Sequence, residues 1–125
     1  MRETKAISSF AVNDLERARG FYADKLGLEV EELDRAHGVM MLKLGDGGQK
    51  LMYLSGDMTP PSYTILNFEV PDIDAAVSQL AERGIQLERY EGFDHDENGV
   101  VRGPGPQIAW FRDPAGNVLA VLQQA

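Results

Sequence analysis

The chain has no cysteine among its 125 residues. This excludes a disulfide, a thiolate nucleophile and a zinc site built on cysteine. No apolar run approaches the roughly 20 residues that a membrane-spanning helix needs. The apolar run near the N-terminus is too short for a signal peptide. We therefore expect a cytoplasmic protein that neither crosses nor binds a membrane.

Positive charge is also scarce, with 12 Lys and Arg residues against 20 Asp and Glu and a formal net charge of −8. Nucleic-acid backbones and anionic membrane surfaces would repel such a chain, so we expect neither as a partner. Hydrophobic residues make up 43% of the chain and charged residues 26%. These fractions are those of an ordinary globular protein, and the length fits one domain.

An internal repeat is the most informative feature of the sequence. The segment Phe10–Leu15 reappears as Phe68–Ile73 at an offset of 58 residues, and Gly48–Leu54 matches Gly116–Leu122 at an offset of 68. The second copy is thus about ten residues longer, and the surplus falls between the two matches. A repeat of this kind indicates one structural unit that is used twice.

The boundary between the copies is predicted around Pro60-Pro61, where apolar periodicity is lost. We predict a single domain over residues 1–125, made of two modules, 1–57 and 62–125, joined by this proline-containing linker. The longest irregular segment is 93–106, which is rich in Gly, Pro and carboxylates. A loop of this length in a compact domain often acts as a lid or a binding loop.

Each copy shows the pattern of a strand, a helix and three further strands. Asp14 and Asp72 stand where a helix N-cap is expected, and apolar residues then recur at helical spacing until Gly27 or Gly84. Glycine-containing turns precede the last strand of each copy. The predicted strands are Ala6–Val12, Leu28–Leu33, Val39–Leu44 and Lys50–Leu54, then Ile65–Val70, Gln86–Glu91, Ile108–Arg112 and Val118–Leu122.

Three groups of residues carry a resemblance to a known family. They are Val12-Asn13-Asp14-Leu15 with its repeat Val70-Pro71-Asp72-Ile73, Phe21-Tyr22 followed by Leu26-Gly27-Leu28, and the hairpin Phe111-Arg112-Asp113-Pro114-Ala115-Gly116-Asn117. With them the chain resembles the vicinal oxygen chelate superfamily of glyoxalases, bleomycin resistance proteins and extradiol dioxygenases. The resemblance implies an α+β fold in which two βαβββ modules form an open, curled barrel of mixed β-sheet.

Metal-using members of the family hold a divalent ion with His or Glu at four positions. The resemblance assigns these positions to Ile7, Met52, Ile65 and Ala120. Aliphatic and thioether side chains do not hold a hard cation, which needs several oxygen or imidazole ligands. We therefore expect no metal, no cofactor and no catalytic residue there. We interpret the polar run Asp94-His95-Asp96-Glu97 as solvated loop, because neighbouring side chains in an extended segment point apart.

Residues that share a strand face with these positions are the candidates for ligand binding. Trp110 offers a ring on which a ligand can stack, although an indole can equally fill a core. Asn67 offers a hydrogen-bonding amide, and Glu69 offers a partner for a cation. If the segment 93–106 folds over the mouth of the cavity, Tyr90, Phe93 and His95 become contacts as well. The candidate set is Ser9, Met52, Asn67, Glu69, Tyr90, Phe93 and Trp110.

The leading hypothesis is a metal-independent small-molecule-binding protein of the glyoxalase/bleomycin-resistance type. It would sequester or carry an aromatic or apolar compound, cationic or neutral, and the resemblance implies a homodimer. A second hypothesis is a lyase, isomerase or dioxygenase with atypical metal ligands such as His37, His95, Glu69 or loop carboxylates. A third is an interaction domain whose own side chains fill the pocket. Whether the chain is an enzyme stays open at this point.

Overall fold

The structure, a computed structural model, describes residues 1–124. The chain forms two compact units, with the boundary in sequence between Thr59 and Pro60. The first unit carries a mixed sheet of four strands and the second a mixed sheet of three, and neither sheet closes on itself. The predicted α+β class is confirmed. Among residues 1–124, no helix has the length and apolar character needed to cross a membrane.

The first unit follows the predicted order of elements. Asp14 begins its helix, because the Asp14 carboxylate accepts a hydrogen bond from the Arg17 amide at 3.1 Å. The elements are β1 Ser9–Val12, α1 Leu15–Arg19 continued by π-helical turns over Gly20–Lys25, β2 Glu29–Asp34, β3 Val39–Lys43 and β4 Gln49–Leu54. Strands β1 and β4 pair in parallel, and the sheet order is β1-β4-β3-β2.

One face of the first sheet forms the core of this unit. Phe10, Met52 and Met40 lie in one cross-strand row, and all three are buried. Tyr22 of the helical segment is also buried, and its ring centroid lies 5.7 Å from that of Phe10. Because side chains alternate along a strand, the neighbours of these residues in sequence point to the opposite face of the sheet.

The second unit repeats the arrangement with one strand fewer. Its elements are β5 Thr64–Glu69, α2 Ile73–Glu82, β6 Gln107–Arg112 and β7 Val118–Gln123, in the sheet order β5-β7-β6. Asp72 caps α2 by accepting hydrogen bonds from the amides of Asp74 and Ala75. The helix buries Ile73, Val77 and Leu80, and the sheet buries the cross-strand pairs Ala109–Val121 and Phe111–Leu119.

The prediction of a regular strand over Gln86–Glu91 is wrong. The free edge of β6 is paired instead by two isolated antiparallel bridges, Glu88 with Trp110 and Val101 with Ile108. In an uninterrupted antiparallel strand, Tyr90 would stand opposite Ile108, so Val101 takes its place. The chain over residues 90–100, which we call the excursion, leaves the sheet edge after the bridge to Trp110. It returns to that edge with Val101, which bridges to Ile108. This accounts for the roughly ten extra residues of the second copy.

The hairpin between β6 and β7 is organised by Asp113, which is 5% exposed. Its Oδ1 accepts hydrogen bonds from the amides of Ala115 at 2.9 Å and Asn117 at 2.8 Å, and its Oδ2 accepts one from the Asn117 side chain at 2.9 Å. In the corresponding turn of the first unit, the exposed Asp46 accepts a hydrogen bond from the Gly48 amide at 2.8 Å. The buried turn is therefore the more strongly anchored of the two.

We predict that Asp113→Ala lowers the free energy of unfolding by about 2 kcal/mol, because it leaves buried amide groups without their acceptor. The same substitution at the exposed Asp46 should lower it by only about 0.5 kcal/mol. Urea denaturation of wild type and both variants, followed by circular dichroism, measures the two losses. Equal losses in the two variants would contradict the role assigned to Asp113.

Candidate functional site

The face of the second sheet opposite its buried pairs carries the candidate residues of this unit. The strand register places Asn67, Ala120 and Trp110 in one cross-strand row. Adjacent strands lie about 4.8 Å apart, so the backbones of Asn67 and Trp110 are about 10 Å apart across the sheet. The next row on this face contains Glu69, Leu122 and Ile108.

Four aromatic side chains gather at the β6 side of this face and form the aromatic cluster: Tyr90, Phe93, His95 and Trp110. The ring centroid of Trp110 lies 5.3 Å from that of Tyr90, 5.2 Å from that of Phe93 and 6.1 Å from that of His95. All three contacts are tilted or edge-to-face, a geometry that aromatic pairs favour. Phe93 is 53% exposed, so the cluster presents a ring to solvent.

Two backbone groups hold the imidazole of His95. Its Nε2 accepts a hydrogen bond from the Tyr90 amide at 3.0 Å, and its Nδ1 lies 2.9 Å from the carbonyl oxygen of Gly99. An amide N–H can only donate and a carbonyl oxygen can only accept, so this arrangement requires the neutral ring with its proton on Nδ1. The interpretation of His95 as a solvated loop residue is wrong, because it is half-buried and bonded on both sides.

Asp96 organises the turn that follows His95. Its amide donates to the carbonyl of Val100 at 2.8 Å, and its Oδ1 accepts hydrogen bonds from the amides of Asn98 and Val100, both at 2.9 Å. Gly99 in this turn has φ at +95°, and a Cβ there would lie 3.0 Å from the Leu87 side chain, so glycine is favoured on both counts. The excursion therefore contains a compact hairpin.

Arg102 ties this hairpin to helix α2 and to strand β6. Its guanidinium donates hydrogen bonds to the Asp96 carboxylate at 2.8 Å, to the Asp74 carboxylate at 2.5 Å and to the Gln107 side chain at 2.6 Å. Partial burial raises the pKa of Asp96, but the Val100 amide and the Arg102 guanidinium outweigh it and hold that pKa below its usual value. The stability that Asp96 contributes is therefore present at neutral pH and lost only as acid protonates the carboxylate.

A second ion pair stands beside the aromatic cluster. Arg112 donates to the Glu88 carboxylate at 2.6 Å and to the carbonyl oxygen of Gly116 at 2.8 Å. The Glu88 carboxylate, with a smaller contribution from Tyr90, raises the pKa of Arg112. Glu88 also bridges to Trp110, and Arg112 also contacts Gly116. The ion pair therefore links the chain just before the excursion to the hairpin between β6 and β7.

Ser9 and Met52 belong to the first unit, and the prediction that they share a sheet face is wrong. In the parallel ladder, Ser9 pairs with Leu51 and Phe10 pairs with Met52. Met52 therefore lies on the core face, where it is fully buried, while Ser9 and Leu51 lie on the other. By the register of the two parallel pairs, Leu51 and not Met52 corresponds to Ala120.

The positions that hold a metal in metal-using relatives do not fit a metal in this chain. With the corrected register they are Ile7, Leu51, Ile65 and Ala120, which are all aliphatic and offer no donor atom. Across residues 1–124, no group of three or more His, Asp or Glu side chains is arranged to hold a metal ion. Of the two histidines, His95 bonds to backbone groups, and His37 has an 80% exposed side chain 2.7 Å from a carboxylate oxygen of Asp34.

A protein-family model matches most of the chain. The family model of the Glyoxalase/Bleomycin resistance protein/Dioxygenase superfamily covers residues 7–121. The chain belongs to this superfamily. One relative by sequence is YraH of Bacillus subtilis (strain 168). It is 26% identical over an alignment of 126 residues, which covers 90% of this chain and 91% of YraH.

Two solved structures share the fold of this chain. TnmS3, an antibiotic binding protein from Streptomyces sp. CB03234, gives a TM-score of 0.71 at 24% identity, with 98% of each chain covered. Lactoylglutathione lyase from Agrobacterium tumefaciens gives a TM-score of 0.67 at 23% identity, with 97% of this chain and 95% of the lyase covered. These two likenesses establish the fold alone, since one structure is of a binding protein and the other of an enzyme.

The structure brings together three of the predicted site residues, Tyr90, Phe93 and Trp110, and adds His95 to them. Their role in ligand binding stays a prediction. Arg102 was not expected, and no sequence signal points to it, because its partners lie in other elements of the unit. Its importance follows only from the folded arrangement.

We predict that Arg102→Ala raises the hydrogen-exchange rate of the amides over residues 95–101 about tenfold, because the hairpin loses its ties to α2 and β6. The amide of Val101, which donates to Ile108 at 2.8 Å, is the most direct reporter. Exchange measured by NMR or mass spectrometry gives the rates. Arg35→Ala, at an exposed position of the first unit, is the matched control and should leave them unchanged. Unaltered exchange in Arg102→Ala would show that Arg102 does not hold the hairpin against α2 and β6.

Proposed function

We propose that this protein is a metal-independent small-molecule-binding protein that sequesters or carries a planar aromatic compound with a cationic group. The aromatic cluster carries the proposal, because Trp110 packs against Tyr90 and Phe93 while Phe93 stays 53% exposed. Rings fixed by one another form a preorganised surface on which a further ring can stack, and aromatic faces also attract cations.

The burial of Trp110 supports a binding role over that of a core filler. The core pair of the same strands, Phe111 and Leu119, has 0% exposure. Trp110, one residue away and on the other face of β6, is only half-buried. A ring that is left half-open on a sheet face keeps surface for a ligand, whereas core residues do not.

Two polar side chains supply orientation on the same face. Asn67 shares the cross-strand row of Trp110, and Glu69 lies in the next row, both of them exposed. A ligand that stacks on the cluster and extends across the sheet meets first the amide of Asn67 and then the carboxylate of Glu69. Apolar surface with a few polar groups is the usual composition of a small-molecule site. The net charge of −8 also favours a cation over an anion.

The side chains at the metal positions of the family support binding without a metal. Ile7, Leu51, Ile65 and Ala120 offer no ligand atoms, and the alternative ligand His95 has both ring nitrogens engaged. The antibiotic-binding activity of TnmS3 gives a precedent on the same fold. Our proposal includes a cytoplasmic location and a homodimer, the latter because the resemblance to the family implies one.

We predict that proflavine, a planar aromatic cation, binds this protein at about pH 8 and that Phe93→Ala weakens binding about fivefold, since an aromatic contact contributes about 1 kcal/mol. Glu69→Gln should weaken proflavine binding but not the binding of acridine, which has the same ring system without the charge. Isothermal titration calorimetry measures each dissociation constant.

Tyr63→Ala is the matched control for this experiment, because Tyr63 is an aromatic residue of the same unit, 69% exposed and outside the cluster. Its affinity for proflavine should equal that of wild type. If Phe93→Ala and Tyr63→Ala bind proflavine equally well, the cluster is not the binding surface. If wild type binds neither probe, the proposal of an aromatic ligand is wrong.

We also predict that removal of divalent metals leaves proflavine binding unchanged, because in residues 1–124 no group of three or more His, Asp or Glu side chains is arranged to hold a metal ion. Protein dialysed against EDTA should give the same dissociation constant as protein supplied with Zn²⁺, Ni²⁺ or Mn²⁺. Elemental analysis of protein purified without chelator measures the resident metal directly. A stoichiometric metal whose loss abolishes binding would overturn the proposal and favour the metal-dependent enzyme.

A further inference from the structure

The aromatic cluster depends on a ring that can change its charge near neutral pH. We propose that His95 is a positioning residue for the ligand site and that protonation of His95 opens the aromatic cluster and releases the bound compound. This inference rests on the proposed function for its ligand. Its structural part concerns the protein alone and can be tested without any ligand.

Protonation of His95 would affect its two contacts differently. Nδ1 already donates to the carbonyl oxygen of Gly99 at 2.9 Å, and it remains a donor in the charged ring. Nε2 accepts from the Tyr90 amide at 3.0 Å with the lone pair that an incoming proton would occupy. Two N–H donors would then face each other, so the bond to Tyr90 is lost. The ring therefore keeps its hydrogen bond to Gly99 and loses its hydrogen bond to Tyr90.

Tyr90, which loses this hydrogen bond, and the nearby Phe93 make up half of the aromatic cluster. Tyr90 begins the excursion, and Phe93 lies between Tyr90 and His95, with its amide 3.4 Å from the Tyr90 carbonyl oxygen. Trp110 belongs to β6, where it pairs with Ala120 in the sheet ladder, and it stays in place. Movement of the segment 90–93 therefore separates the rings of Tyr90 and Phe93 from Trp110. The affinity for a stacked ligand falls in proportion to the fraction of molecules with a closed cluster.

The charged groups around His95 have partners of their own. Asp96 pairs with Arg102, and Glu88 pairs with Arg112. Arg89 donates to the carbonyl oxygen of Glu97 at 3.0 Å. The remaining charged groups close to it in the chain are the exposed carboxylates of Glu91, Asp94 and Glu97, and the remaining titratable ring of the cluster is that of Tyr90. Because Nε2 faces the Tyr90 amide, a proton that arrives there meets another donor and not a carboxylate.

The composition of the chain makes the effect easy to assign. The chain has two histidines, and histidine is the side chain that ordinarily gains charge between about pH 8 and pH 5. His37 lies in the first unit, its side chain is 80% exposed, and its Nδ1 contacts a carboxylate oxygen of Asp34 at 2.7 Å. That carboxylate accepts a hydrogen bond from the neutral or the charged ring, so protonation of His37 breaks no contact.

His95→Gln is the decisive variant. The carboxamide of Gln offers one acceptor and one donor that can serve Tyr90 and Gly99 as the neutral ring does, and it cannot be protonated in this range. Proflavine affinity is measured by calorimetry at about pH 8 and about pH 5.5, above the range in which ordinary carboxylates take up protons. Exchange of the Tyr90 amide is measured by NMR at both pH values without ligand and corrected for the intrinsic pH dependence of exchange.

We expect wild type to bind proflavine about five- to tenfold more weakly at the lower pH, the cost of one broken hydrogen bond, with a matching loss of Tyr90 amide protection. His95→Gln should show neither change, and His37→Gln should behave like wild type. The inference is overturned if Tyr90 protection in wild type is the same at both pH values, or if His95→Gln keeps the pH dependence of wild type. If wild type fails to bind proflavine at about pH 8, the proposed ligand class is wrong, while the Tyr90 amide still decides the role of His95.

Discussion

The parallel pairing of the first and last strands in each unit decides which side chains can meet a ligand. A strand turns successive side chains to opposite faces, so a shift of one residue in the register exchanges the core for the open face. Burial of Phe10 and Met52 in the first unit, and of Phe111 and Leu119 in the second, holds that register. Asn67 and Trp110 lie on the opposite face of the second sheet, on either side of the buried Ala120.

The sequence predicts features that depend on neighbouring residues, such as helix caps. It does not predict which residues of distant segments come into contact. Asp14 and Asp72 begin helices as their position predicts, because an N-cap needs only the residues next to it in the chain. Met52 was misplaced because a count from the neighbouring glycine carries no information about its partner strand. The role of Arg102 depends on Asp74 of helix α2, which only the folded chain brings close to it. The partners of His95 lie within its own loop, but the sequence pattern does not show how that loop folds.

The candidate site combines one residue of a regular strand with two residues of an irregular loop. Trp110 belongs to a regular strand, and its position is determined by the sheet ladder. Tyr90 and Phe93 lie on an excursion held by side-chain contacts, among them those of His95 and Arg102. Elements with few contacts to the rest of a protein open more readily than its core. Superfamily membership accounts for the sheet, whereas our proposal of binding without a metal rests on the side chains of the open face.

The way in which the excursion joins the sheet has a consequence for how such sites diverge. Glu88 and Val101 bridge to Trp110 and Ile108, two residues apart on the same edge of β6, so the chain between them is attached at both ends to one short stretch of strand. Changes in its length and sequence therefore need not alter the pairing of β6 with the rest of the sheet, provided that the contacts of Asp96 and Val100 are kept. On this architecture, a new ligand preference can arise through changes in one contiguous segment of the chain.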